Sequence, residues 1–499
     1  MVKCIDYYLS IFTVERNIFM KKTKIICTIG PASDNDETLK EMIINGMDCA
    51  RLNFSHGTHA EHLKRIERVK RVRKELNLNI PILLDTKGPE IRFKNFTNGF
   101  TVVEAGDKFT LYADEIMGDK NGATVSYPKL AENLKKGVGI LIDDGNIEME
   151  VEEISGKDVI CKVIHGGKIS DHKSINIPTS SVDMPYLSQK DIDDILFGIE
   201  NDIDFIAASF VRSKDDVWDL RNLLIENNGA NIKIISKIEN IQGVDNIAEI
   251  IEASDGIMVA RGDLGVELPF TALPKIQKDI IKKCFRSGKY VITATQMLES
   301  MTKNPRPTRA EVSDVANAIY DGTTGIMLSG ESAAGDYPIE SVRTMNEIAT
   351  NTDNVINHKS RFEKSKLFLG NDQLNAISKA ACDAAYCLNA KAIVALSRSG
   401  RTAKLISNYR PDCPILAAVL DEKACRQLNL AWNVKPIFSE EKHSTDELLR
   451  AGIELAIKEK MATVGDTIIL TCSAAIGEIN TDLMKIHVIR EEDMKACSK

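Results

Sequence analysis

The chain has 499 residues, of which 43% are hydrophobic and 27% are charged, and its formal net charge is −8. This length exceeds that of one ordinary domain and predicts about three domains. The acidic balance argues against nucleic acid and against a membrane surface as main partners. An anionic substrate would therefore need a local pocket of basic residues.

The 11 cysteines are scattered and include no CxxC pair. A disulfide framework or a structural zinc site is therefore not expected, and the pattern favours a reducing, cytoplasmic location. No apolar run approaches the ~20 residues that a membrane-spanning helix needs. We interpret residues 1–20 as an N-terminal leader that is disordered or extra to the native protein, because Met20 begins a second possible chain start.

Short apolar runs recur along the chain, and each is followed by a longer amphipathic stretch. This alternation is typical of βα units around a parallel sheet. The predicted strands are Ile25–Ile29, Cys49–Leu52, Ile80–Leu84, Phe205–Ala208, Ile232–Ile235, Gly256–Val259, Tyr290–Thr293 and Gly325–Leu328. Eight such units favour a closed (β/α)8 TIM barrel over an open sheet, and we assign residues 21–87 and 184–342 to it.

Residues 88–183 interrupt this rhythm between the third and fourth strands. Such a connection is far longer than a normal crossover, and its alternating runs Ile147–Ile154 and Asp158–Ile164 indicate β-structure. We predict an inserted all-β, barrel-like lid domain. Residues 343–499 form a further predicted α/β domain, with strands at Ala392–Leu396, Ile415–Val419 and Thr467–Thr471.

Polar side chains are concentrated where the predicted barrel strands end, which is the catalytic face of this fold. They are Arg51, Asn53, Ser55, Asp85, Thr86, Lys87, Lys237, Glu239, Asp263, Thr295, Ser329 and Glu331. Residues two apart in a strand share a face, so Lys237 and Glu239 are expected to point together into the barrel mouth. They form either an internal ion pair or a phosphoryl-stabilising cation beside a metal-binding carboxylate.

Asp263 lies between glycines in the segment Arg261-Gly262-Asp263-Leu264-Gly265. Such a segment alone is more often a turn than a metal site, but together with Glu239 it offers two hard oxygen ligands for Mg²⁺. Arg51 supplies a guanidinium for phosphate. Asn53, Ser55, Asp85 and Thr86 supply oxygen ligands suited to a hard monovalent ion. His56 by itself would more often be a capping or surface residue.

Five segments together resemble those of pyruvate kinases. They are Ile234–Gly243, Asp85–Arg92, Thr295–Met301, Pro305–Glu311 and Met327–Glu331, and they occur in the family's order. The resemblance extends from about Lys22 to the carboxyl terminus. It implies transfer of the phosphoryl group of phosphoenolpyruvate to ADP, giving pyruvate and ATP in the last step of glycolysis, and a homotetramer.

The resemblance also implies roles for single residues. Lys237 and Arg51 would contact the phosphoryl group, and Glu239 and Asp263 would hold Mg²⁺ or Mn²⁺. Asn53, Ser55, Asp85 and Thr86 would hold K⁺, and Gly262, Asp263 and Thr295 would receive the substrate carboxylate. The nucleotide side would include Asn53, Ser55, His56, Arg92 and Lys173, and catalytic Thr295, Ser329 and Glu331 would lie near the proton path to the enolate. In the family, a Glu at the position of Glu90 accompanies dependence on K⁺.

Ser397–Thr402 follow a predicted strand and are expected to open a helix at about Ala403. The hydroxyls and N–H groups of Ser397, Arg398, Ser399, Gly400, Arg401 and Thr402 form either a phosphate cradle or an ordinary cap. The resemblance favours the cradle, because the family's sugar-phosphate effectors bind at the matching loop. The segment from Cys472 to Asp482, however, carries Glu478 and no Arg or Lys. We therefore expect a sugar phosphate or nucleotide monophosphate more than a bisphosphate.

Two other readings of the sequence stay open. One is another barrel enzyme that acts on phosphoenolpyruvate or pyruvate enolate, for which neither the lid nor Arg92 would be needed. The second is a sensor that binds metabolites without turnover, for which Lys237, Glu239 and Asp263 would not all be needed.

Overall fold

The structure is a computed structural model and describes residues 21–178, 184–365, 372–474 and 481–497. The predicted leader at 1–20 lies outside these ranges, as does Glu478. Within them, no helix is both long and apolar enough to cross a membrane.

The described chain begins with three buried strands separated by two helices. They are β1 (Lys24–Thr28), α1 (Asp36–Ile44), β2 (Cys49–Asn53), α2 (His59–Glu75) and β3 (Ile82–Asp85). Asn35 and Thr58 precede the two helices, and their side chains accept the N–H groups of Thr38 and Glu61. These caps satisfy first-turn donors and so fix where each helix starts.

A mostly antiparallel β-region follows β3. Its strands are β4 (Ile91–Arg92), β5 (Phe100–Val103), β6 (Lys108–Tyr112), β7 (Gly122–Thr124), β8 (Gly139–Ile142), β9 (Ile147–Ser155), β10 (Asp158–His165), β11 (Gly167–Ser170) and β12 (Ser174–Asn176). Seven of them form one sheet in the order β4-β12-β8-β9-β10-β6-β7, and β11 pairs with β5. The region has its own core around Phe93 and Phe109.

The chain then returns to alternating helices and strands. These are α3 (Gln189–Glu200), β13 (Phe205–Ala208), α4 (Lys214–Glu226), β14 (Lys233–Ile238), α5 (Ile241–Asp245), α6 (Ile247–Ala253), β15 (Gly256–Ala260), α7 (Arg261–Glu267), α8 (Leu273–Arg286), β16 (Tyr290–Ala294), α9 (Arg309–Asp321), β17 (Gly325–Leu328), α10 (Gly330–Ala333), α11 (Pro338–Val355) and α12 (His358–Ser365). Short 3-10 helices lie at Pro31–Ser33, Leu130–Asn133 and Glu299–Thr302.

Eight parallel strands close into a barrel in the order β1-β17-β16-β15-β14-β13-β3-β2. The closing pair joins β1 to β17, with Lys24 opposite Gly325. All eight carboxyl ends therefore meet at one mouth, and the predicted TIM barrel is confirmed. Because helices cover the outside and side chains fill the inside, the strands are apolar on both faces.

The carboxyl-terminal region is a second α/β unit. Its elements are α13 (Gln373–Leu388), β18 (Ala392–Leu396), α14 (Arg401–Asn408), β19 (Ile415–Val419), α15 (Glu422–Leu428), β20 (Val434–Phe438), α16 (Thr445–Lys458), β21 (Thr467–Cys472), β22 (Leu483–Val488) and α17 (Glu491–Cys497). The sheet order is β20-β19-β18-β21-β22, and only the β21–β22 pairing is antiparallel.

This second unit packs against the amino-terminal end of the barrel. Apolar residues inside the barrel, such as Tyr290, form one continuous cluster with residues of the carboxyl-terminal core, such as Tyr409. A buried ion pair spans the same boundary, with Nε of Arg426 2.7 Å from Oδ1 of Asp204, whose side chain is fully buried. The catalytic face is thus left open on the opposite end.

Two strands of the carboxyl-terminal sheet were not predicted. β20 carries Lys435 and Pro436 and lies at an edge, where a residue without a backbone N–H is tolerated. β22 is the other edge strand and is half-exposed, so it lacks the apolar run of a central strand. Helix α14 begins at Arg401 rather than at about Ala403, because Gly400 takes a left-handed φ of 75° immediately before it.

Candidate active site

The barrel mouth is centred on the ammonium group of Lys237 at the end of β14. Its Nζ lies 3.0 Å from Oδ1 of Asp85 and 2.9 Å from Oε1 of Glu239, and it donates to Oγ of Ser209 at 2.8 Å. The predicted side-by-side placement of Lys237 and Glu239 is observed. Burial by itself would lower the pKa of Lys237, but the two carboxylates outweigh it and raise that pKa.

Arg51, at the end of β2, forms the second cationic group of the mouth. Its Nε donates to Oδ2 of Asp85 at 2.6 Å, and an Nη atom donates to Oγ1 of Thr28 at 2.8 Å. Burial would raise the pKa of Asp85, yet Arg51 and Lys237 together hold it below its usual range. Asp85 is therefore a fixed anion that orients both cations.

Glu239 is the most unusual carboxylate of the mouth. Its Oε2 accepts the N–H of Phe210 at 2.7 Å, whereas the buried Oε1 lies 2.9 Å from the ammonium group of Lys237 and accepts no well-aligned hydrogen bond from any described residue. Burial raises the pKa of Glu239 to about 8; Lys237 opposes this rise and Asp263 adds to it. A buried carboxylate oxygen with a cation beside it but no aligned hydrogen bond keeps a lone pair that a metal ion could use.

Asp263 lies in the first turn of α7, directly after β15, and is half-buried. Its charge raises the pKa of Glu239, so the two carboxylates are close enough to repel each other. Over the described part of the chain, no three His, Cys, Asp or Glu side chains form a metal-binding group. Two carboxylates would leave the remaining coordination positions of a hard cation to substrate and water oxygens.

Thr295 and Gly262 are in direct contact at the mouth. The N–H of Gly262 donates to Oγ1 of Thr295 at 2.8 Å, and Thr295 has a left-handed φ of 66°. Arg261 holds this backbone through its guanidinium, which donates to the carbonyl oxygen of Thr295 at 2.6 Å. A non-glycine residue at positive φ is strained, and the strain persists only where surrounding contacts impose it.

The predicted monovalent-cation ligands lie at, or just after, the carboxyl ends of the neighbouring strands β2 and β3. Asn53 is in register with Asp85, and the N–H of Phe54 donates to the carbonyl oxygen of Asp85 at 2.9 Å. Oδ1 of Asn53 accepts the N–H of Ser55 at 3.0 Å. Thr86 is buried beside Ser209. The structure thus brings these four residues onto one side of the mouth.

The predicted nucleotide-side residues are more dispersed. Arg92 is held by Glu90, with Nε and an Nη atom 3.0 and 2.9 Å from its carboxylate oxygens. Lys173 pairs with Asp143 at 2.5 Å in the β-region, and His56 is exposed on the barrel rim. A cleft lies between the β-region and the barrel, and its lining includes Arg92 and Asp263.

Glu331 ties together the loops after β16 and β17. Its two carboxylate oxygens accept the N–H groups of Leu298 at 3.1 Å and Ser329 at 2.8 Å. The Oγ atom of Ser329 is buried and has no hydrogen-bond partner among the described residues. Glu331 therefore fixes the backbone, while Ser329 keeps a hydroxyl available.

Ser209 and Thr28 were missed by the sequence reasoning. Oγ of Ser209 accepts from Lys237 and donates to the carbonyl oxygen of Thr86 at 2.7 Å, and Thr28 accepts from Arg51. The available signal was position, since each ends or follows a buried barrel strand. A lone hydroxyl there does not stand out from ordinary loop polarity.

The predicted effector segment surrounds the start of α14. Oγ of Ser397 accepts the N–H of Gly400 at 3.1 Å, while Arg398 pairs with Glu441 at 2.8 Å. Ser399 and Arg401 are exposed, and Thr402 is buried against Thr481, with 2.6 Å between their hydroxyl oxygens. Among the described residues no side chain caps the first turn of α14, so the segment contains one internal hydrogen bond beside exposed polar groups.

Comparison with known proteins gives matches over nearly the whole chain. The family models for the pyruvate kinase barrel domain and the pyruvate kinase alpha/beta domain match residues 20–342 and 375–487. A pyruvate kinase of Sporosarcina psychrophila is 50% identical over 476 residues, which are 94% of this chain and 81% of that protein. One from Staphylococcus epidermidis is 47% identical over 479 residues, 95% of this chain and 82% of that protein.

A solved structure is also similar. The crystal structure of a pyruvate kinase from Cryptosporidium parvum superposes with a TM-score of 0.89 at 39% identity, covering 94% of this chain and 96% of that chain.

Proposed function

Because the chain belongs to the pyruvate kinase family, it is a phosphotransferase acting between phosphoenolpyruvate and ADP, and we propose how its own residues perform this reaction. The observation that carries the proposal is the position of Lys237, held within 3.0 Å of both Asp85 and Glu239 at the open end of the barrel. A cation fixed there needs no reorganisation when charge moves during phosphoryl transfer.

Lys237 and Arg51 are the proposed contacts of the transferring phosphoryl group. Both are anchored to Asp85, so their spacing is set before substrate arrives. Phosphoryl transfer from phosphoenolpyruvate leaves an enolate, whose negative charge must be stabilised until carbon is protonated. Preorganised cations lower the energy of that charge more than mobile ones do.

Glu239 and Asp263 are the proposed ligands of Mg²⁺ or Mn²⁺. The buried Oε1 of Glu239, which pairs with Lys237 but accepts no aligned hydrogen bond, and the nearby charge of Asp263 suit a hard divalent cation. When bound, such an ion supplies Lewis-acid stabilisation of substrate oxygens.

Asn53, Ser55, Asp85 and Thr86 are the proposed ligands of K⁺. Asn53 and Asp85 are paired in the β2–β3 register, and Ser55 and Thr86 follow within two residues of them. We expect strong activation by K⁺ and little by Li⁺, since Glu90 contributes no positive charge to this side of the mouth.

Gly262, Asp263 and Thr295 are the proposed receivers of the substrate carboxylate. In the structure the N–H of Gly262 donates to Thr295, so substrate would have to replace this hydrogen bond. Ser329 and Glu331 are proposed to shape the proton path to the enolate, with the buried hydroxyl of Ser329 available to water or substrate.

The nucleotide is proposed to enter from the cleft beneath the lid, near Asn53, Ser55, His56, Arg92 and Lys173. On this account residues 88–183 act as the lid, residues 21–87 and 184–342 as the catalytic barrel, and residues 343–499 as a regulatory domain. The further proposals are a homotetramer, a cytoplasmic location and a phosphorylated effector at Ser397–Thr402. The ten described cysteines are all free thiols, which supports a reducing compartment.

The test is a coupled assay in which lactate dehydrogenase consumes pyruvate. Parent protein is supplied with phosphoenolpyruvate, ADP, Mg²⁺ and K⁺, and each is then omitted in turn. We expect activity to need all four and LiCl to replace KCl poorly. Equal rates in potassium-free buffer containing only a bulky organic cation would refute the K⁺ site, and pyruvate formation without ADP would refute the phosphotransfer.

A further inference from the structure

Two side chains from neighbouring helices donate hydrogen bonds to the backbone of the loop after β2. This loop, Asn53–Gly57, carries Ser55, and the carbonyl oxygens of Phe54 and His56 flank that residue on either side. Each of the two carbonyl oxygens accepts one side-chain hydrogen bond from outside the loop. The two donors, Lys190 and His62, are outside the machinery described above.

His62 supplies the first donor from one turn into α2. Its Nε2 lies 2.8 Å from the carbonyl oxygen of His56 and must carry the proton, because a carbonyl oxygen can only accept. Its ring stacks on Phe54, with the ring centroids 3.9 Å apart at 10°. The ring is almost fully buried, and burial lowers the pKa of His62, which favours the neutral form.

Lys190 supplies the second donor from the first turn of α3. Its Nζ donates to the carbonyl oxygen of Phe54 at 2.9 Å and lies 2.6 Å from Oδ2 of Asp194. The other oxygen of Asp194, which is nearly buried, lies 2.6 Å from Nε2 of His59. Lys190 is half-exposed and lies four residues from Asp194, so by itself this pair stabilises only α3. The contact with Phe54 is what gives this pair a role beyond the helix.

We propose that Lys190 and His62 are positioning residues that set the geometry of the loop Asn53–Gly57 and thereby the affinity and selectivity of the monovalent-cation site. Neither side chain contacts the proposed cation ligands directly; both act through the backbone on either side of Ser55. The inference rests on the proposed role of Asn53, Ser55, Asp85 and Thr86. Small ions are discriminated by ligand position, so a loosened loop should lose affinity and the preference for K⁺ over Na⁺.

The experiment uses the full chain and measures the K⁺ concentration for half-maximal activity, kcat at saturating K⁺, and the ratio of K⁺ to Na⁺ activation. Without substrates, it also measures the K⁺ concentration that half-saturates the rise in the thermal unfolding midpoint, which reports binding independently of turnover. Lys190→Met removes the donor and keeps the stem, and Lys190→Arg restores a donor. His62→Phe keeps the stacked ring without a donor, and His62→Gln restores a donor. Lys64→Met, at an exposed position on the same helix as His62, is the matched control.

We expect Lys190→Met and His62→Phe each to raise the half-saturating K⁺ concentration about ten-fold, as loss of one strong hydrogen bond would. Both variants should also lower the ratio of K⁺ activation to Na⁺ activation, while kcat at saturating K⁺ stays within about two-fold of the parent. Lys190→Arg and His62→Gln should recover part of the K⁺ affinity. Lys64→Met should match the parent.

An unchanged half-saturating K⁺ concentration in Lys190→Met would overturn the inference, even if kcat or thermal stability fell. Should His62→Phe fail to fold, Lys190→Met alone decides. Ser55→Ala distinguishes failure of this inference from failure of the proposed K⁺ site. If the parent needs K⁺ and Ser55→Ala weakens it while the Lys190 and His62 variants do not, only this inference fails. A parent indifferent to K⁺ removes the proposed site and this inference with it.

Discussion

The side chains at the barrel mouth carry unbalanced charge. Arg51 and Lys237 face the carboxylates of Asp85, Glu239 and Asp263, and an excess of one negative charge results when all three carboxylates are ionised. Burial makes that excess costly, and the raised pKa of Glu239, about 8, expresses the same cost. Bound cations would restore the balance and attract two anionic substrates. This excess is the charge that the proposed metal ions would balance.

Lys237→Met should abolish phosphoryl transfer while leaving the fold intact, because the ammonium group acts on the charge that develops in transfer. Loss of one such group costs on the order of 10²–10³ in rate. Proton exchange on pyruvate should be damaged less, since it involves no phosphoryl group. The coupled assay measures the first reaction, and NMR of pyruvate in deuterated water measures the second.

Lys233→Met is the matched control, since Lys233 begins the same strand at the far end of the barrel. It should retain parental rates. Activity of Lys237→Met within a factor of ten of the parent would contradict the role assigned to this residue.

The pair Lys237 and Glu239 could be predicted from the sequence because alternation along a strand is a local property. Ser209 could not, because its contact with Lys237 at 2.8 Å depends on β13 lying beside β14 in the closed barrel. The same is true of Thr28 and Arg51 on β1 and β2. The alternation along one strand determines which way each side chain points, whereas its hydrogen-bond partners depend on which strands lie next to each other and in what register.

At the scale of elements, α14 and the loop before it form the proposed effector cradle. Gly400 has a left-handed φ of 75° and packs against Leu428 so closely that a Cβ would overlap it. The loop is therefore fixed on α15, and α15 in turn is fixed on the barrel through Arg426 and Asp204. A ligand at Ser397–Thr402 would thus bind a segment with rigid contacts to the barrel.

Ser399→Glu should abolish activation by phosphorylated ligands, because a carboxylate at this exposed position repels phosphate. The measurement is a screen of sugar phosphates and nucleotide monophosphates at subsaturating phosphoenolpyruvate, on parent and variant. We expect activation of the parent by at least one of them and none of the variant. Absence of activation in the parent, or its survival in Ser399→Glu, would remove this loop from the account.

Arg426→Met should weaken the attachment of helix α15 to the barrel. The change leaves the fully buried carboxylate of Asp204 without its 2.7 Å partner, and breaking a buried pair in this way costs about 3 kcal/mol or more. Thermal unfolding followed by circular dichroism should show a clearly lower midpoint. Arg490→Met removes an exposed pair with Glu492 and should shift the midpoint little. Equal midpoints for the two variants would disprove the stabilising role.

At the scale of the whole molecule, the order of the barrel strands was predictable and the edges of the carboxyl-terminal sheet were not. Barrel strands such as β13 are buried on both faces and read as apolar runs. The edge strand β20 alternates in burial and contains Pro436, so nothing local distinguishes it from a loop. Its identity depends on pairing with β19, which is a property of the assembled sheet.

His358, at the junction between barrel and carboxyl-terminal domain, should make stability depend on pH. Its ring lies 5.1 Å from that of Trp432; burial, aided by Lys22, lowers its pKa to about 3. The unfolded chain binds a proton at this histidine near pH 6.5, whereas the folded chain does not bind it until about pH 3. The free energy of unfolding therefore keeps the contribution of the neutral ring above pH 6.5 and loses it as the pH falls below that value. From pH 7 to 5.5 the parent should lose about 1 kcal/mol more than His358→Gln. Urea unfolding at both pH values measures this, and parallel losses would refute it.

The central claim is that one protein couples phosphoenolpyruvate consumption to ATP formation at Lys237. Phosphorus NMR of phosphoenolpyruvate and ADP with the parent, in the presence of Mg²⁺ and K⁺, observes both sides of that coupling directly. We predict that the parent forms one ATP for each phosphoenolpyruvate consumed and releases no inorganic phosphate. With Lys237→Met we predict neither consumption of phosphoenolpyruvate nor formation of ATP. Release of inorganic phosphate in place of ATP, or unchanged turnover by Lys237→Met, would contradict the account.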